Sequence, residues 1–490
     1  MKIRLYAMKL MLLLLCLAML TAAFAGCTAK QGEGTATSAK DKSTEVTLRT
    51  DDQGFLLDDL PEDLKYNRVA NMLGEEFYHW QYCGEEESKT DGVLPVIYER
   101  NMAVEERLGI EFNWKTVPGD WGSRDKYVNE VIKTSDAGTA YDAFVAYNLV
   151  PPVLASRGYA ANLYDTKYLD LTAPWWPSAY LEQMVVNEKI YCLVESNDYG
   201  VLRNMMAVFF NTEMLESRNL EDPYTLVSNN EWTIDKLAEM IKDTYEDTNN
   251  NSKKDIADVF GCVTATNAKM DAWLYGCGYR LTTVNADGEI EFLVGDASIG
   301  EYVELMREFF IGNDALTYDP NMHKIFLEER AYFYAAGLLM ATDIKNQELD
   351  LYYGVVPMPK LTSEQDRYYT HLSNTHDAWG APYNAPDMDF TSAIMECMAS
   401  EAYRSIGPTY YDLYLKVRYA PDERLADMYD LIRDSITFDF AYLFSCVFTN
   451  NPKDLLKSCI TDPTKSWATV YAGNSSRLDS EFQKIVEVYQ

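Results

Sequence analysis

The chain has 490 residues, 47% of them hydrophobic, and a formal net charge of -33. That length excludes one small domain and suggests about two to four domains, or two large lobes. So acidic a chain lacks the basic footprint that nucleic acid or anionic lipid headgroups require, and its excess charge reads as a soluble acidic exterior.

The first segment, MKIRLYAMKLMLLLLCLAMLTAAFAGC, places Lys2, Arg4 and Lys9 before an apolar run and small residues before Cys27. Residues 1–26 therefore read as a secretory signal and not as a fold element. The ending FAGC resembles the lipobox of bacterial lipoproteins, in which the signal is cleaved and the Cys, here Cys27, carries lipid. The alternative is an ordinary cleaved signal with a stray Cys. Residues 28–50 are rich in Thr, Ser, Gly, Ala and Lys and cannot bury enough to fold. Residues 27–50 are thus a lipidated Cys with a flexible tether. No later segment reaches the roughly 20 apolar residues that span a bilayer. The expected location is the cell membrane, lipid-anchored on its extracellular face.

Seven cysteines follow Cys27: Cys83, Cys192, Cys262, Cys277, Cys397, Cys446 and Cys459. An odd number at scattered spacings is not a disulfide framework. Most read as buried thiols acting as small hydrophobes, with one pair, such as Cys262 and Cys277, left open.

In chain order, EEFYHWQY (75–82) reads as a strand and VIYERNMAVEERLGI (96–110) as an amphipathic helix. IEFNWKTV (110–117) returns as a strand, RDKYVNEVIKTSDAG as a helix with a Gly end, and YDAFVAYN (141–148) as a buried strand. This alternation is that of a doubly wound, mainly parallel sheet. VLRNMMAVFFNTEML (201–215) is a long apolar strand entering a helix at Asn211–Thr212. WTIDKLAEMIKDTYED (232–247) and ASIGEYVELMREFFIGN are helices, LYYGVVPMPK (351–360) is a strand, and the last hundred residues are mostly helical.

In this order and spacing, several pieces resemble the extracellular solute-binding lipoproteins of bacterial ABC importers, family 1, the sugar-binding type related to maltose-binding protein. They are the lipobox and tether, YERNMAVEERLGIEF, YDAFVAYN, VFFNTEML, NNEWTIDKLAEMIK, YGCGYRL with NADGEIEF, and FLEERAYFYAAG with YYGVVPMPK. The resemblance covers nearly the whole mature chain. It implies an α/β, two-lobed, periplasmic-binding-protein-like fold (type II). Each lobe would be a mainly parallel sheet flanked by helices, with the ligand cleft between lobes. Residues 51–207 plus about 370–405 would form lobe 1, and 208–369 plus about 406–490 lobe 2. The implied function is capture of a carbohydrate, an oligosaccharide, by hinge closure of a monomer and delivery to a membrane permease, without catalysis.

A sugar site wants flat aromatic rings beside hydrogen-bonding side chains. Tyr suits such a wet surface, and there are 36 Tyr against 19 Phe and 9 Trp. Trp273 is the leading candidate, because the family carries a ligand-facing aromatic on the approach to this Gly pair; Asp271 lies beside it. Tyr147 and Asn148 end a strand and enter a loop. Trp175 and Trp176 stand among prolines, where one could stack on ligand or both could pack as core. Asp198 lies in a polar turn before the first crossing. His376, Asp377 and Trp379 cluster past the second.

No HExxH, GxSxG, Walker loop or Cys/His zinc spacing is present in the chain. A secreted polysaccharide-active hydrolase, a peptide- or other-solute-binding lipoprotein, and a metal-importer component remain as alternatives. No cofactor is required. The stretch DTNNNSKKDIAD orders Asp247, Asn249, Asn251, Lys253 (by its carbonyl), Asp255 and Asp258 as in a calcium loop. Ser252 stands where the sharp turn favours Gly. The resemblance places a structural Ca2+ loop here in some relatives, so a weak structural calcium site is the expectation.

Overall fold

The computed structural model describes residues 49–89, 91–285, 288–313, 316–317, 322–347, 349–420 and 423–490. The segments expected to be signal (1–26) and lipidated Cys27 with its tether (27–50) lie, but for residues 49 and 50, outside the described residues. Among the described residues, no helix is long and apolar enough to cross a membrane.

Two sheets organise the chain. The first contains β1 (Arg68–Glu75), β2 (Ile110–Val117) and β3 (Ala143–Tyr147). The second contains β4 (Met206–Asn211), β5 (Phe260–Val263), β8 (Leu316–Thr317), β9 (Ala331–Gly337) and β10 (Tyr353–Pro357). Between β5 and β8 lies a hairpin, β6 (Thr282–Val284) with β7 (Ile290–Phe292). Later, β11 (Thr370–His371) pairs with β13 (Ile436–Thr437), and β12 (Asp377–Gly380) returns to the first sheet.

The first sheet has the order β12-β3-β1-β2, with β1 parallel to both β2 and β3. Parallel neighbours need crossovers, and helices Leu94–Leu108 and Arg124–Asp136 supply them. The first helix buries Leu94, Ile97, Val104 and Leu108 on one face. It ends where Gly109 adopts φ 61°, a left-handed turn that lets the chain enter β2 at once. The second sheet has the order β10-β4-β9-β5-β8. Its β9, β5 and β8 run parallel, while β4 runs antiparallel between β9 and β10. Every residue of β3, β4 and β9 is buried, as continuous apolar strands covered on both faces should be. The chain is therefore mixed α/β, with parallel-rich sheets and flanking helices.

Two segments join the sheets side by side. Residues 204–206 lead into β4, and residues 372–376 lead back into β12. Met205 bridges Leu372, and the Ser373 N–H donates to the Asn204 carbonyl at 3.0 Å. The chain passes over again after helix Met388–Ile406, which packs on helix Leu94–Leu108. A π-helical run, Gly407–Tyr419, follows it and packs beside helix Leu339–Asn346. Helices Pro452–Thr461 and Trp467–Glu487 then pack on helix Ala297–Ile311.

Most sequence expectations land within a few residues, but three segments differ. The strand expected from residue 201 begins only at Met206, because Tyr199–Arg203 form a short helix capped by Asp198. EEFYHWQY is not a strand: β1 is RVANMLGE, and only its last residue, Glu75, belongs to that stretch. The buried Glu75 carboxylate accepts the N–H groups of Phe77 (2.9 Å) and Tyr78 (2.7 Å), which turns the chain out of the sheet into a short helix, Trp80–Cys83. The helix expected over 232–247 stops at Ile241, because Lys242 is extended and Asp243 takes φ 58°. Its start is capped by Thr233, whose hydroxyl accepts the Lys236 N–H at 3.2 Å. The seven described cysteines are all free, Cys262 and Cys277 included.

Glu75 also accepts the Gly119 N–H at 3.0 Å, so one carboxylate holds three amides from two loops. Replacing Glu75 by Ala orphans the buried Gly119 N–H, at a cost of about 1–3 kcal/mol, and frees two part-buried donors to water. We expect E75A to lower unfolding stability by about 1–3 kcal/mol, read as a lower urea midpoint at unchanged m. A midpoint unchanged from wild type would contradict this role.

Candidate functional site

In open α/β sheets, ligands bind off the carboxyl ends of the strands. Here those ends, from both sheets, border one cavity of 590 Å³. From the first sheet come Tyr78 after β1, Asp120 and Trp121 after β2, and Tyr147 at the end of β3. From the second come Thr266–Lys269 after β5, and Gly337 and Leu339 at the end of β9. Asn204 and Ser373–Thr375, from the two joining segments, form the floor. Lys453, Asp454 and Lys457 of helix Pro452–Thr461 complete the wall. A larger cavity of 680 Å³ lies elsewhere, beside edge strand β10, between residues 349–353 and 418–420. We assign the site to the first, because the strand ends, the aromatic rings and the polar floor converge there.

The aromatic wall is built from the backbone outward. Tyr147 is 3% exposed and stacks with Tyr78, centroids 6.3 Å apart and 18° from parallel. Trp121 is 44% exposed, an unusual state for Trp in a folded chain. Cations flank its ring: Arg124 at 5.0 Å and Lys453 at 5.5 Å from the centroid. The floor is rigid. Asn204 donates to the Gly200 carbonyl (2.7 Å) and the Thr375 carbonyl (3.1 Å), and accepts from the Thr375 hydroxyl (2.7 Å).

The lysine wall rests on a buried carboxylate. Asp271 pairs with Lys457 at 3.1 Å and Lys453 at 3.4 Å, and both lysines also reach Asp454. Burial pushes the Asp271 carboxyl up, but Lys453, Lys457 and His371 together draw it below the usual carboxylate range. Lys269 differs. Its amine donates to the Tyr334 hydroxyl, and burial lowers its pKa to about 8 against the partial support of Asp343.

The structure sorts the sequence candidates. Tyr147 lines the cavity, and Asp271 stands one layer behind it, orienting two lysines that do. Trp273 is fully buried, packed against Phe309 (5.3 Å) and Phe310 (5.7 Å), with its indole N–H donating to the Thr264 hydroxyl at 3.4 Å. It sits inside the second sheet's core and does not line the cavity, because Asp271, two residues earlier, takes the face toward the lysines. Trp175 and Trp176 are buried with both indole N–H groups on the Glu396 carboxylate, at 3.1 and 3.0 Å. Trp379 is buried near Trp114. Asp198 caps helix Tyr199–Arg203 by accepting the Val201 N–H at 2.9 Å.

Asn148 and His376 pair beneath the floor at 3.2 Å, where the Asn148 amide donates to imidazole Nε2 while Nδ1–H donates to the Ser373 carbonyl at 2.8 Å. Burial lowers the pKa of His376 to about 4. Asp377 is buried beside Asp198, Glu75 and Glu195, and burial first, then those carboxylates, raises its pKa well above the ordinary range.

Sequence reasoning missed Tyr78, Asp120, Trp121, Asn204, Lys269, Lys453 and Lys457. Trp121 carried a signal, an aromatic between glycines in VPGDWGS just past a strand. Tyr78 was hidden by reading its turn as a strand. Lys453 and Lys457 lie far along the chain and carried none.

The 247–258 loop is remote from the cavity lining and closes on itself. Asp247 accepts the Asn251 and Ser252 N–H groups, and the Asn249 and Asn251 amides donate to Asp255. Lys253 donates its N–H to the Asn251 side chain. Asp258 is fully buried and engaged by the Tyr245 hydroxyl and the Thr248 and Asp255 N–H groups, so its oxygens serve the chain itself. Ser252 takes φ 59°, the left-handed turn that the missing Gly would have eased. Asp247, Asn249, Asn251 and Asp255 thus converge within one loop, and among the described residues no group of three or more His, Cys, Asp and Glu is placed to hold a metal ion.

No protein-family model matches the chain, and no curated protein matches it in sequence. Solved structures do match. A cyclo/maltodextrin-binding protein complexed with maltotetraose aligns over 88% of this chain and 99% of its own, with TM-score 0.54 and 10% identity. The chain has the solute-binding-protein fold. An extracellular solute-binding protein from Staphylococcus aureus in complex with maltose covers 86% of this chain and 98% of its own, with TM-score 0.54 and 11% identity. A cyclic alpha-maltosyl-1,6-maltose binding protein from Arthrobacter globiformis covers 86% and 98%, with TM-score 0.53 and 12% identity. In the solute-binding-protein fold the sheets form two lobes, and the cavity described here lies at the strand ends of both.

His376 gives a pH test with a definite sign. Its folded pKa, about 4, lies below the unfolded value of about 6.5, so its contribution is present above pH about 6.5 and is lost as pH falls toward 4. We expect the stability difference between wild type and His376→Gln to narrow over that window in thermal unfolding. A difference that stays constant with pH would show that His376 does not titrate as its burial requires.

Proposed function

We propose that this chain is the extracellular solute-binding component of an ABC importer, that it captures an oligosaccharide in the cavity between the sheets, and that it delivers it to a membrane permease. The observation that carries this is the cavity itself. It offers 590 Å³, three aromatic rings from the first sheet, and Asn267 and Asn374 as hydrogen-bonding partners. Rings serve the apolar faces of pyranoses and amides serve their hydroxyl edges. The structural neighbours support the reading, since those named above are described as complexed with, or binding, maltose-type saccharides.

Function then follows from geometry. A solute that contacts both walls binds a form in which they stand close better than one in which they stand apart, and shifts the population toward the close form. The paired joining segments 204–206 and 372–376 are the natural hinge. The FAGC sequence at Cys27 supports tethering at the extracellular face of the membrane, where a monomer would remain within reach of its permease.

A hydrolase would need two carboxylates about 5–10 Å apart, one of them free to act as an acid. Of the two that line the cavity, Asp454 is ion-paired with Lys453 and Lys457. This favours binding over cleavage.

A ligand present at about 100 times its Kd stabilises the folded state by about 2.7 kcal/mol. We expect a saccharide panel to raise the melting temperature, a peptide panel to leave it unchanged, and no saccharide to be cleaved over hours. Tyr78→Ala and Trp121→Ala should each weaken saccharide binding by about tenfold, the usual loss for a contact worth about 1.4 kcal/mol. A clear shift from peptides alone would overturn the reading.

A further inference from the structure

We infer that the saccharide taken by this cleft carries an anionic group, a carboxylate or sulfate on one ring, and that Lys269 is its counter-charge. This rests on the functional reading above and narrows its substrate class.

The argument is one of charge placement. Acidic residues outnumber basic ones 76 to 43 over the whole chain, yet the cavity is lined by three lysines against two aspartates. Lys453 and Lys457 are already balanced, each paired with Asp271 and Asp454. Lys269 is not. Its amine meets a neutral partner, the Tyr334 hydroxyl, and lies over that ring at 4.7 Å. Among the described residues no carboxylate stands within ion-pairing distance of it, and Asp343 acts only from further off. A half-buried ammonium without a counter-ion is costly unless a ligand supplies one.

The backbone adds to the same wall. Helix Ala268–Gly276 begins there, capped by Asn267, which accepts the Lys269 N–H at 3.0 Å. Helix Pro452–Thr461, capped by Asn451, begins there as well. Two positive helix ends on one wall strengthen its preference for an anion. The other aspartate, Asp120, lies beside Trp121 and Tyr78 on the aromatic wall. The ligand therefore has a direction: its anionic ring faces Lys269 and its neutral rings face Tyr78 and Trp121.

Titration calorimetry on the full chain tests this with three probes: trigalacturonate, a sulfated galactose disaccharide and maltotriose. We expect one of the two anionic sugars to bind about tenfold or more tighter than maltotriose at about pH 6.5, and the tighter of the two identifies the group. Both anionic sugars keep their charge at about pH 9.5 while the Lys269 amine loses its proton. Anionic-sugar affinity should therefore fall severalfold there, and maltotriose affinity should not. This arm needs no variant. Lys269→Met should remove the preference and flatten the pH profile. Lys269→Arg should keep the preference and abolish the fall at high pH, because guanidinium stays charged. Maltotriose binding as tightly as either anionic sugar, or a preference that survives in Lys269→Met, would overturn the inference while leaving the saccharide reading intact. Binding of no saccharide at all would overturn both.

Discussion

The Glu75 carboxylate is the constraint on which the cleft depends. It is fully buried, and it accepts amides from Phe77 and Tyr78 on one loop and Gly119 on another. A buried charge is tolerated only when such bonds replace its lost water. Here the same bonds end β1, turn out the Tyr78 ring, and fix the loop that presents Trp121. Both wall aromatics beyond Tyr147 thus hang from one side chain that never meets the solvent.

The second wall solves a different problem with the same kind of group. Asp271 is buried below Lys453 and Lys457 and holds both. Lys453 in turn lies against Trp121 and Tyr442, at 5.5 and 5.4 Å from their centroids. A residue anchored among the helices that pack beside the second sheet therefore touches a ring carried by the first. Each wall of the cavity is thus stiffened from behind by a buried carboxylate.

Much of the fold was legible in the sequence, because apolar strands and amphipathic helices follow periods of two and 3.6. β2 falls on IEFNWKTV and β3 within YDAFVAYN, as those periods require. The strand over EEFYHWQY failed for a reason that periodicity does not carry: a carboxylate captured the next two amides. The site was harder to read. Trp273 is a candidate by family resemblance, and Trp175, Trp176 and Trp379 by their place in loops, yet all four are buried. Their indole N–H groups or ring edges find partners inside the protein, and nothing in composition separates such rings from Trp121. The lysine wall was illegible for another reason. Its members lie about 180 residues apart along the chain, from Lys269 to Lys453, and meet only through packing.

Gly119 shows how this architecture divides what can change from what cannot. A Cβ there would stand 2.9 Å from the Glu75 Cγ and from the Tyr127 ring, so no other residue fits without moving the carboxylate. Two residues on, Trp121 stands open to solvent. Backbone shape and ring chemistry are thus set by different positions of one loop. The rings at 121 and 78 can therefore be exchanged over an unaltered socket. Change of ring without loss of fold is open at those few positions.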